Sequence, residues 1–381
     1  MASVGSIASK SRVHVTQWTR QTQSTRETPR RKGGGLVSAE AQAVPGGKTT
    51  VEARHRALGL SDQDVLEMYY YIALARALDD RMWVLQRAGK AMFVISGPGH
   101  EGCQVAAMWP MDKKQDWFVP FYRSVAACLV KGMTVTDMLL GLFARATDPS
   151  SGGRQMPGHY GHPRFKILST SSPVGTQYPH AVGIAYASKL RRTGEVTMVS
   201  IGEGGTSQGD WHEALNFAAI HKCPVLLIVE NNELAISVPL RKQMAVPSVA
   251  VRAAGYGMPG VTADGSDVLE CYRVAKEAYD RAKRGEGPTL IEYRVPRLGS
   301  HSSDDQQERY RSREELEQVR KRDPLLTFRA YLERVGLLNE STLKDIAERI
   351  RRDIDTATDE ADRAPLPQPD TATRHLFFEG E

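Results

Sequence analysis

The strongest indication of the fold is the segment VSIGEGGTSQGDWHEALNFAAIHKCPVLLIVENN, residues 199–232, in which two apolar runs flank a glycine-rich acidic loop and a helical pattern. The apolar runs are typical of buried strands, and SQGDWHEALNFAAIHK between them is typical of a helix. The alternation of strand, loop and helix continues over 169–295. This pattern predicts an α/β fold with a mostly parallel, doubly wound sheet and helices on both faces.

Polar side chains follow two strands of the predicted sheet. Glu203 comes after the strand 197–201, and Asn231 and Asn232 come after the strand 224–230. If the two strands are neighbours joined by a right-handed crossover, these groups meet at one edge, where open parallel sheets bind ligands. A carboxylate, an amide oxygen and a nearby backbone carbonyl suit Mg²⁺, which completes such sites with water and substrate phosphates.

The glycines of the loop and the helix predicted to begin near Ser207 suit a phosphate group, because backbone N–H groups and the helix N-terminus both attract anions. No Lys follows the glycines, and the third glycine of G-x-G-x-x-G is missing, so neither common phosphate-loop pattern is present. The alternative is a tight turn with Glu203 in solvent. The spacing from Gly202 to Asn232, with a helix and a strand between, favours a site for a magnesium-bound diphosphate.

The same stretch resembles the thiamine-diphosphate motif, in which G-D/E-G is followed some thirty residues later by N-N. The likeness extends over 56–335 and is greatest to the alpha subunit of the decarboxylating component of 2-oxo acid dehydrogenase complexes. GGRQMPGHYG, SSPVGTQ, GEGGTSQGD and HSSDD…YRSREE are more similar to the branched-chain (2-oxoisovalerate) type than to the pyruvate type. The resemblance implies the thiamine-diphosphate-binding fold. It also implies oxidative decarboxylation of branched-chain 2-oxo acids, with acyl transfer to a lipoyl-lysine.

The resemblance also implies the residues of the site. Glu203, Asn232 and the backbone carbonyl of Leu234 would hold Mg²⁺. Ser172 and Val174 match positions that touch the aminopyrimidine of the cofactor. The full set of implied cofactor contacts is Tyr122, Arg123, Ser172, Val174, Gly202, Glu203, Gly204, Gly205, Asn232 and His301.

A possible K⁺ site is implied by the segment SSPVGTQ. The matching positions are Ser171, Pro173, Thr176 and Gln177. These small polar residues could equally cap the helix that follows.

His301 matches the catalytic histidine of the family. Without the resemblance, a histidine on a polar loop is usually solvated, whereas near the cofactor an imidazole could orient the 2-oxo acid or pass a proton. Ser302 lies where eukaryotic relatives are phosphorylated. Two residues depart from animal relatives: Glu230 replaces a cofactor-contacting Arg, and Phe121 replaces a polar residue on the substrate side, so acyl-chain preference stays open.

Half of the active site is expected on another chain. Thiamine catalysis needs a carboxylic acid on the aminopyrimidine, and a second α/β domain usually supplies it. The resemblance implies that a beta subunit brings this acid in an α₂β₂ assembly, with a lipoyl-bearing acyltransferase as the next component and a small 2-oxo acid as substrate. The rival functions are a pyruvate or acetoin dehydrogenase subunit, a stand-alone thiamine decarboxylase and a non-catalytic scaffold.

Charge and composition exclude other partners. Residues 1–50 carry eight basic and two acidic residues, and the remainder has a net charge of −1, so nucleic-acid binding has no support in the folded part. No apolar run is long enough for a membrane helix. The four scattered cysteines are typical of core residues in a reducing compartment.

The sequence divides into a basic leader over 1–50, a domain for the diphosphate and Mg²⁺ over 51–310, and a helical C-terminal extension with a Pro-rich tail over 311–381. The Arg- and Ser-rich leader resembles a transit peptide. We favour a disordered tail or a start codon placed too far upstream. The expected location is therefore a bacterial cytoplasm, with the mitochondrial matrix as the alternative.

Overall fold

The computed structural model describes residues 53–377, and the leader predicted over 1–50 lies outside them. The strands in chain order are β1 (Trp117–Val119), β2 (Thr197–Gly202), β3 (Val225–Asn231), β4 (Leu234–Ala235), β5 (Val238–Pro239), β6 (Gly260–Asp264) and β7 (Thr289–Arg294). Five of them form a parallel sheet in the order β1-β2-β3-β7-β6, and β4 pairs with β5 in a separate antiparallel ribbon. The predicted parallel α/β fold is confirmed.

Helices cover both faces of this sheet. In chain order they are α1 (Arg54–Ala57), α2 (Asp62–Arg87), α3 (Glu101–Met108), α4 (Val125–Lys131), α5 (Val135–Leu142), α6 (Gln177–Arg191), α7 (Gly209–Ile220), α8 (Val268–Lys283), α9 (Arg313–Arg320), α10 (Pro324–Arg334) and α11 (Glu340–Arg363). Helix α2 begins with a capping hydrogen bond, since the Ser61 hydroxyl accepts from the Asp64 N–H at 3.1 Å.

Strand β3 shows why the apolar runs are continuous. Leu226 and Ile228 pack into a core with α2, α3, α4, α5 and α8, whereas Leu227 and Val229 pack on the opposite side with α6 and α7. A strand buried on both faces has apolar side chains in both directions. The sheet is therefore doubly wound, as the sequence predicts.

The topology brings the ends of β2 and β3 together. Helix α7 connects these two neighbouring strands, and Gly202 pairs with Glu230 in their parallel register. The loops that leave the two strands therefore start side by side at the carboxyl edge of the sheet. This places the acidic loop beside the pair of asparagines.

Three local features differ from the predictions. Helix α7 begins at Gly209 rather than near Ser207, because Glu203–Ser207 first forms a 3₁₀ turn. From the sequence we expect two amphipathic helices in the C-terminal extension, whereas three, α9, α10 and α11, follow the sheet within residues 53–377. The short β6 and the β4–β5 ribbon were not predicted. The C-terminal helices also contribute Phe328, Leu332 and Ile354 to the main core.

The prediction for the cysteines agrees with the structure. Cys103, Cys128, Cys223 and Cys271 are all buried and free, as predicted for core residues. Among residues 53–377, no helix combines the length and the apolar character that crossing a bilayer requires.

Candidate functional site

Glu203 begins the 3₁₀ turn that follows β2, and its side chain is buried, with only 2% exposed. One carboxylate oxygen accepts from the backbone N–H of Asn232 at 3.2 Å, and the other accepts from Gln243 Nε2 at 3.3 Å. Burial raises the pKa of Glu203 above its usual range. Within residues 53–377 no cation forms an ion pair with this carboxylate, so a buried charge with only neutral partners is left at the sheet edge.

The two asparagines have different surroundings. Asn231 is fully buried, donates to Glu292 on β7 at 2.6 Å and accepts from the Glu233 N–H, so it shapes the turn after β3. Asn232 is half-buried, and its Oδ1 accepts from the Leu234 N–H at 3.2 Å. The backbone contact between Asn232 and Glu203 confirms that the two loops meet, as the strand order requires.

The oxygen atoms at this site suit a metal ion that is also bound by the phosphate groups of a cofactor. Among the described residues, no group of three or more His, Cys, Asp or Glu side chains could hold a metal ion. Glu203, the Asn232 amide and the Leu234 carbonyl supply only part of an oxygen shell, and Mg²⁺ fills the rest with phosphate oxygens and water. Gln243 Oε1 is buried and has no partner in the described part of the chain, which adds an unsatisfied acceptor beside the carboxylate. These residues therefore fit a cation.

The sheet edge opens into a cleft of about 900 Å³, which Asn232, Leu234 and Arg297 help to line. Arg297 is buried, donates to the Ile236 carbonyl at 2.8 Å and to Tyr310 Oη at 2.6 Å, and its Nε has no partner among residues 53–377. Sequence reasoning missed this residue. An arginine three positions after a central strand of the sheet is the signal that could have found it.

Arg123 is a second buried guanidinium, with 2% of the residue exposed. It lies 5.4 Å from the Tyr122 ring centroid, donates to the Ser96 carbonyl, and its Nη2 lies 3.2 Å from His301 Nδ1. No carboxylate pairs with it in the part of the chain that the structure describes. A buried positive charge without a counter-ion suits an anionic ligand such as a diphosphate.

His301 is held in its neutral form. Burial, together with Arg123 and Arg297, lowers the pKa of His301 to about 4. Because Arg123 can only donate, His301 Nδ1 accepts, and the ring proton is on Nε2. The Tyr122 ring stands edge-on to the imidazole, with 5.8 Å between the centroids. This geometry offers an N–H donor rather than an acid.

The loop before α6 carries the other implied cofactor contacts. Ser172 is exposed, and its hydroxyl lies 2.7 Å from His159 Nε2. Val174 packs against Gly205, where a Cβ would lie 2.7 Å from Val174 Cγ1. A Cβ on Gly204 would lie 2.7 Å from Ala235 Cβ. These two glycines are therefore needed for close packing of the turn, a reason that the sequence did not reveal.

Three of the four residues of the possible K⁺ site bring oxygen atoms together. The hydroxyls of Ser171 and Thr176 are 2.6 Å apart and lie 3.3 and 3.0 Å from the Pro173 carbonyl oxygen. The Gln177 amide instead accepts from the Gly175 N–H and donates to the Ser200 carbonyl. Its side chain therefore ties α6 to β2.

The departures from animal relatives are both buried. Glu230, 1% exposed, lies 2.7 Å from His100 Nδ1 and 2.8 Å from Gln104 Nε2 on the α3 side of the sheet. Burial raises the pKa of Glu230 to about 8. Phe121 packs against the Tyr122 ring, with 5.0 Å between the centroids. The partners of the Glu230 carboxyl are therefore side chains of this protein, His100 and Gln104.

Comparison with known proteins identifies the class of this arrangement. The model of the family described as "Dehydrogenase E1 component" matches residues 69–370. The chain belongs to this family, which the sequence predicted.

Individual relatives agree over most of the chain. It is 50% identical over 324 residues to the 2-oxoisovalerate dehydrogenase subunit alpha of Bacillus subtilis, covering 85% of this chain and 98% of that one. It is 39% identical to the 3-methyl-2-oxobutanoate dehydrogenase subunit alpha of Mycobacterium tuberculosis, covering 85% and 86%. It is 37% identical to the pyruvate dehydrogenase E1 component subunit alpha of Staphylococcus aureus, covering 84% of each chain. The predicted likeness to the branched-chain type is confirmed.

Proposed function

We propose that this chain is the alpha subunit of a branched-chain 2-oxo acid dehydrogenase and that it holds the diphosphate end of thiamine diphosphate with Mg²⁺. The enzyme would decarboxylate 2-oxoisovalerate (3-methyl-2-oxobutanoate) and related acids and transfer the acyl group to a lipoyl-lysine. The observation that carries the proposal is the buried, uncompensated Glu203 beside Asn232, at the joined ends of β2 and β3 in a chain of the E1 family. The share of sequence identity to the 2-oxoisovalerate relative supports the substrate class.

The metal would be held by Glu203, the Asn232 amide oxygen and the Leu234 carbonyl, with Gln243 beside them. The charge of the metal would compensate the buried carboxylate, which has no ion-pair partner in the described part of the chain. Arg123 would neutralise part of the diphosphate, and the backbone of the turn that begins at Glu203 would contribute N–H groups. When bound, thiamine diphosphate supplies the carbon nucleophile and the electron sink for decarboxylation.

His301 would orient the substrate by donating a hydrogen bond from Nε2. Its low pKa keeps it neutral at physiological pH, and its Nδ1 is occupied by Arg123. A neutral donor can bind the carboxylate or the keto oxygen of a 2-oxo acid without giving up its proton. Ser172 would meet the aminopyrimidine, with its hydroxyl held by His159.

The remaining parts of the proposal concern partners and ions. A beta subunit would bring the carboxylic acid for the aminopyrimidine in an α₂β₂ assembly, and a lipoyl-bearing acyltransferase would accept the acyl group. K⁺ would be held by the oxygens of Ser171, Pro173 and Thr176, whose cluster supports such a site. The proposed location is a bacterial cytoplasm, and the bacterial origin of the relatives described above supports the bacterial part of this proposal.

Steady-state rates test this function. The alpha and beta chains, purified together, are assayed with thiamine diphosphate, Mg²⁺ and an artificial electron acceptor, with either 2-oxoisovalerate or pyruvate as substrate. We expect kcat/KM to be at least about tenfold higher for 2-oxoisovalerate, a difference that a pocket fitted to extra methyl groups can supply. Faster turnover of pyruvate would assign the chain to the pyruvate type.

Two controls test for a stand-alone decarboxylase and for a non-catalytic scaffold. The alpha chain alone should show no turnover, and activity without a partner would indicate a stand-alone decarboxylase. Glu203→Ala should abolish turnover of the assembly. Undiminished turnover in this variant would mean that the predicted metal site has no part in the chemistry.

A further inference from the structure

His100 precedes α3 and is buried, with 1% exposed, yet the proposed chemistry gives it no role. Its ring lies between Glu230, which is on β3, and Asn232, which follows β3 directly. Nδ1 lies 2.7 Å from Glu230 Oε2, and Nε2 lies 3.3 Å from Asn232 Nδ2. His100 therefore contacts the amide whose oxygen we assign to Mg²⁺.

The direction of the hydrogen bonds is fixed at the Glu230 end. Gln104 Oε1 accepts from the Ala126 N–H at 3.2 Å, so Gln104 Nε2 is the atom that faces Glu230. This Nε2 donates to Glu230 Oε2 at 2.8 Å and to the Arg123 carbonyl at 3.0 Å. Glu230 Oε2 therefore accepts from Gln104. It also accepts from His100 Nδ1, because Asn232 Nδ2 takes the other ring nitrogen as its acceptor and leaves the proton of the neutral ring on Nδ1.

The direction is also fixed at the Asn232 end. The Leu234 N–H donates to Asn232 Oδ1 at 3.2 Å, which places Asn232 Nδ2 on the side of His100. An amide nitrogen can only donate, so His100 Nε2 must be the acceptor. A neutral imidazole with its proton on Nδ1 satisfies both ends of the chain. Burial and Arg123 lower the pKa of His100 well below its usual range, which agrees with a neutral ring.

We propose that His100, held in one tautomer by Glu230, is a positioning residue that keeps the Asn232 amide turned so that Oδ1 faces the metal. The inference rests on the proposed function, since it assigns Asn232 to Mg²⁺. An amide can rotate and exchange its oxygen for its nitrogen, and a nitrogen that carries hydrogens cannot bind a cation. The Leu234 N–H at Oδ1 and the acceptor at His100 Nε2 together oppose this rotation, and His100 is the partner that binds through its side chain. Partners of metal ligands commonly change metal affinity by about 10–100-fold when they are lost.

Substitutions of His100 by Gln and by Asn test this proposal, because each of these amide side chains replaces one of the two ring nitrogens. Gln at position 100 places an oxygen near the former Nε2, whereas Asn places an N–H near the former Nδ1. His100→Asn should weaken Mg²⁺ binding at least about tenfold, because Asn232 loses its acceptor, while Glu230 keeps its donor. His100→Gln should stay within about threefold of the wild type in Mg²⁺ affinity, but should melt at a lower temperature, because Glu230 loses a donor.

The measurement is calorimetric titration of Mg²⁺ into the full alpha–beta assembly with saturating thiamine diphosphate, together with the melting temperature of the assembly without cofactor. A purely structural role for His100 would make affinity and melting temperature fall together in both variants, and that result would overturn the proposal. Wild-type Mg²⁺ affinity in His100→Asn would also overturn it. If the wild type itself needs no Mg²⁺, the proposed function fails instead.

His55 provides a matched control, because it is also fully buried with both ring nitrogens bonded, to Tyr331 and Asp62. His55→Asn should lower the melting temperature and leave Mg²⁺ affinity unchanged.

Two variants of Glu230 test the proposal if His100→Asn does not fold. Glu230→Gln keeps an oxygen acceptor for Nδ1 and should bind Mg²⁺ within about threefold of the wild type, whereas Glu230→Met should bind about tenfold more weakly. Equal affinities of this pair would contradict the proposal.

An aspartate at position 232 gives the sharpest discrimination. A carboxylate presents oxygen to the metal in either orientation, so it needs no partner to fix its rotation. In the Asn232→Asp background, adding His100→Asn should therefore cost less than about threefold in Mg²⁺ affinity, against the tenfold or greater loss with Asn232. Equal losses in the two backgrounds would show that His100 does not act through the amide.

Discussion

At the residue scale, the chemistry of the site depends on charges that are buried before any ligand is bound. Within residues 53–377, the hydrogen-bond partners of the buried Glu203 carboxylate are N–H donors alone, and the buried Arg123 has no carboxylate partner. Each arrangement is unfavourable for the protein alone and becomes favourable when the opposite charge arrives. Stability and binding are therefore expected to change in opposite directions when these residues are neutralised.

Glu203→Gln should stabilise the metal-free protein. The folded-state pKa of Glu203 is raised above its unfolded value, so between the two values the folded protein binds more protons, and its stability falls as pH rises. Urea unfolding should show wild type and variant with equal stability below pH 4.5, and the variant more stable by roughly 1–3 kcal/mol at pH 7 to 8.

The matched control for this prediction is Glu292→Gln. Glu292 is a fully buried carboxylate on β7 that accepts from Asn231, the Ala250 N–H and Thr262. Glu292→Gln should lose stability, because the three groups that donate to Glu292 would face an amide that has only one oxygen acceptor. A loss of stability in Glu203→Gln at pH 7 would show that the site is satisfied without a metal.

His301 should not titrate in the neutral pH range. Its pKa of about 4 lies well below the ordinary value, and Arg123 contributes to that shift. In NMR of ¹³C-labelled histidine, the ring signal of His301, assigned from its loss in His301→Asn, should stay constant from pH 8 to about 5.5. Replacing Arg123 with Gln should move its midpoint upward. An inflection of the wild-type signal near pH 6.5 would mean that His301 is charged in part at neutral pH and can act as a general acid.

At the element scale, the turn between β3 and β5 is the strained part of the site. Glu233 and Ile236 have φ of 67° and 56°, in the left-handed region that L-residues avoid, and Ile236 is β-branched. Strain of this kind is often found where backbone atoms are placed for function. Here it places the Asn232 amide and the Leu234 carbonyl at the cleft.

Ile236→Gly should increase the free energy of unfolding by about 1 kcal/mol, because glycine adopts positive φ without a steric cost. The measurement is urea unfolding of the cofactor-free protein. Ile220→Gly is the control: this exposed isoleucine ends α7, and glycine should destabilise the helix by up to about 1 kcal/mol. A loss of stability in both variants would mean that the turn is not strained.

The elements that the sequence predicted well are those with a long periodic pattern. The strands β2, β3 and β7 belong to the alternation of strand, loop and helix over 169–295, and β3 begins with an unbroken apolar run from Val225 to Val229. The β4–β5 ribbon has two residues in each strand, which is too short for any period to show. His100 could not be paired with Glu230 from sequence, since 130 positions separate them and only the packing of α3 on the sheet brings them together.

At the scale of the whole molecule, polar contacts hold the helical layer beside the site. Arg76 on α2 contacts Glu101 on α3 at 2.6 Å and forms two hydrogen bonds of 3.0 Å with Asp323, which caps α10. Glu101 also accepts from the Gly99 N–H. Gly99 itself must be glycine, since it has φ of 99° and a Cβ would lie 1.8 Å from the Pro296 carbonyl oxygen. The C-terminal helices thereby support the loop before His100 and the first residue of α3 after it.

Arg76→Ala should destabilise the protein by about 3–5 kcal/mol, because it leaves two buried carboxylates without a cation. The comparison variant is Arg329→Ala, which removes an exposed ion pair with Glu333 and should cost less than about 1 kcal/mol. Chemical unfolding of both variants gives the answer. Similar small losses would show that the ion cluster does not join the helices to the site.

The central claim is that Glu203 and Asn232 hold Mg²⁺ and, through it, the diphosphate of the cofactor. Calorimetric titration of thiamine diphosphate into the alpha–beta assembly, with and without Mg²⁺, tests it most directly. We expect binding that requires Mg²⁺ in the wild type and is lost in Glu203→Gln, although that variant is the more stable protein. Binding that does not depend on Mg²⁺, or that is undiminished in Glu203→Gln, would contradict the claim.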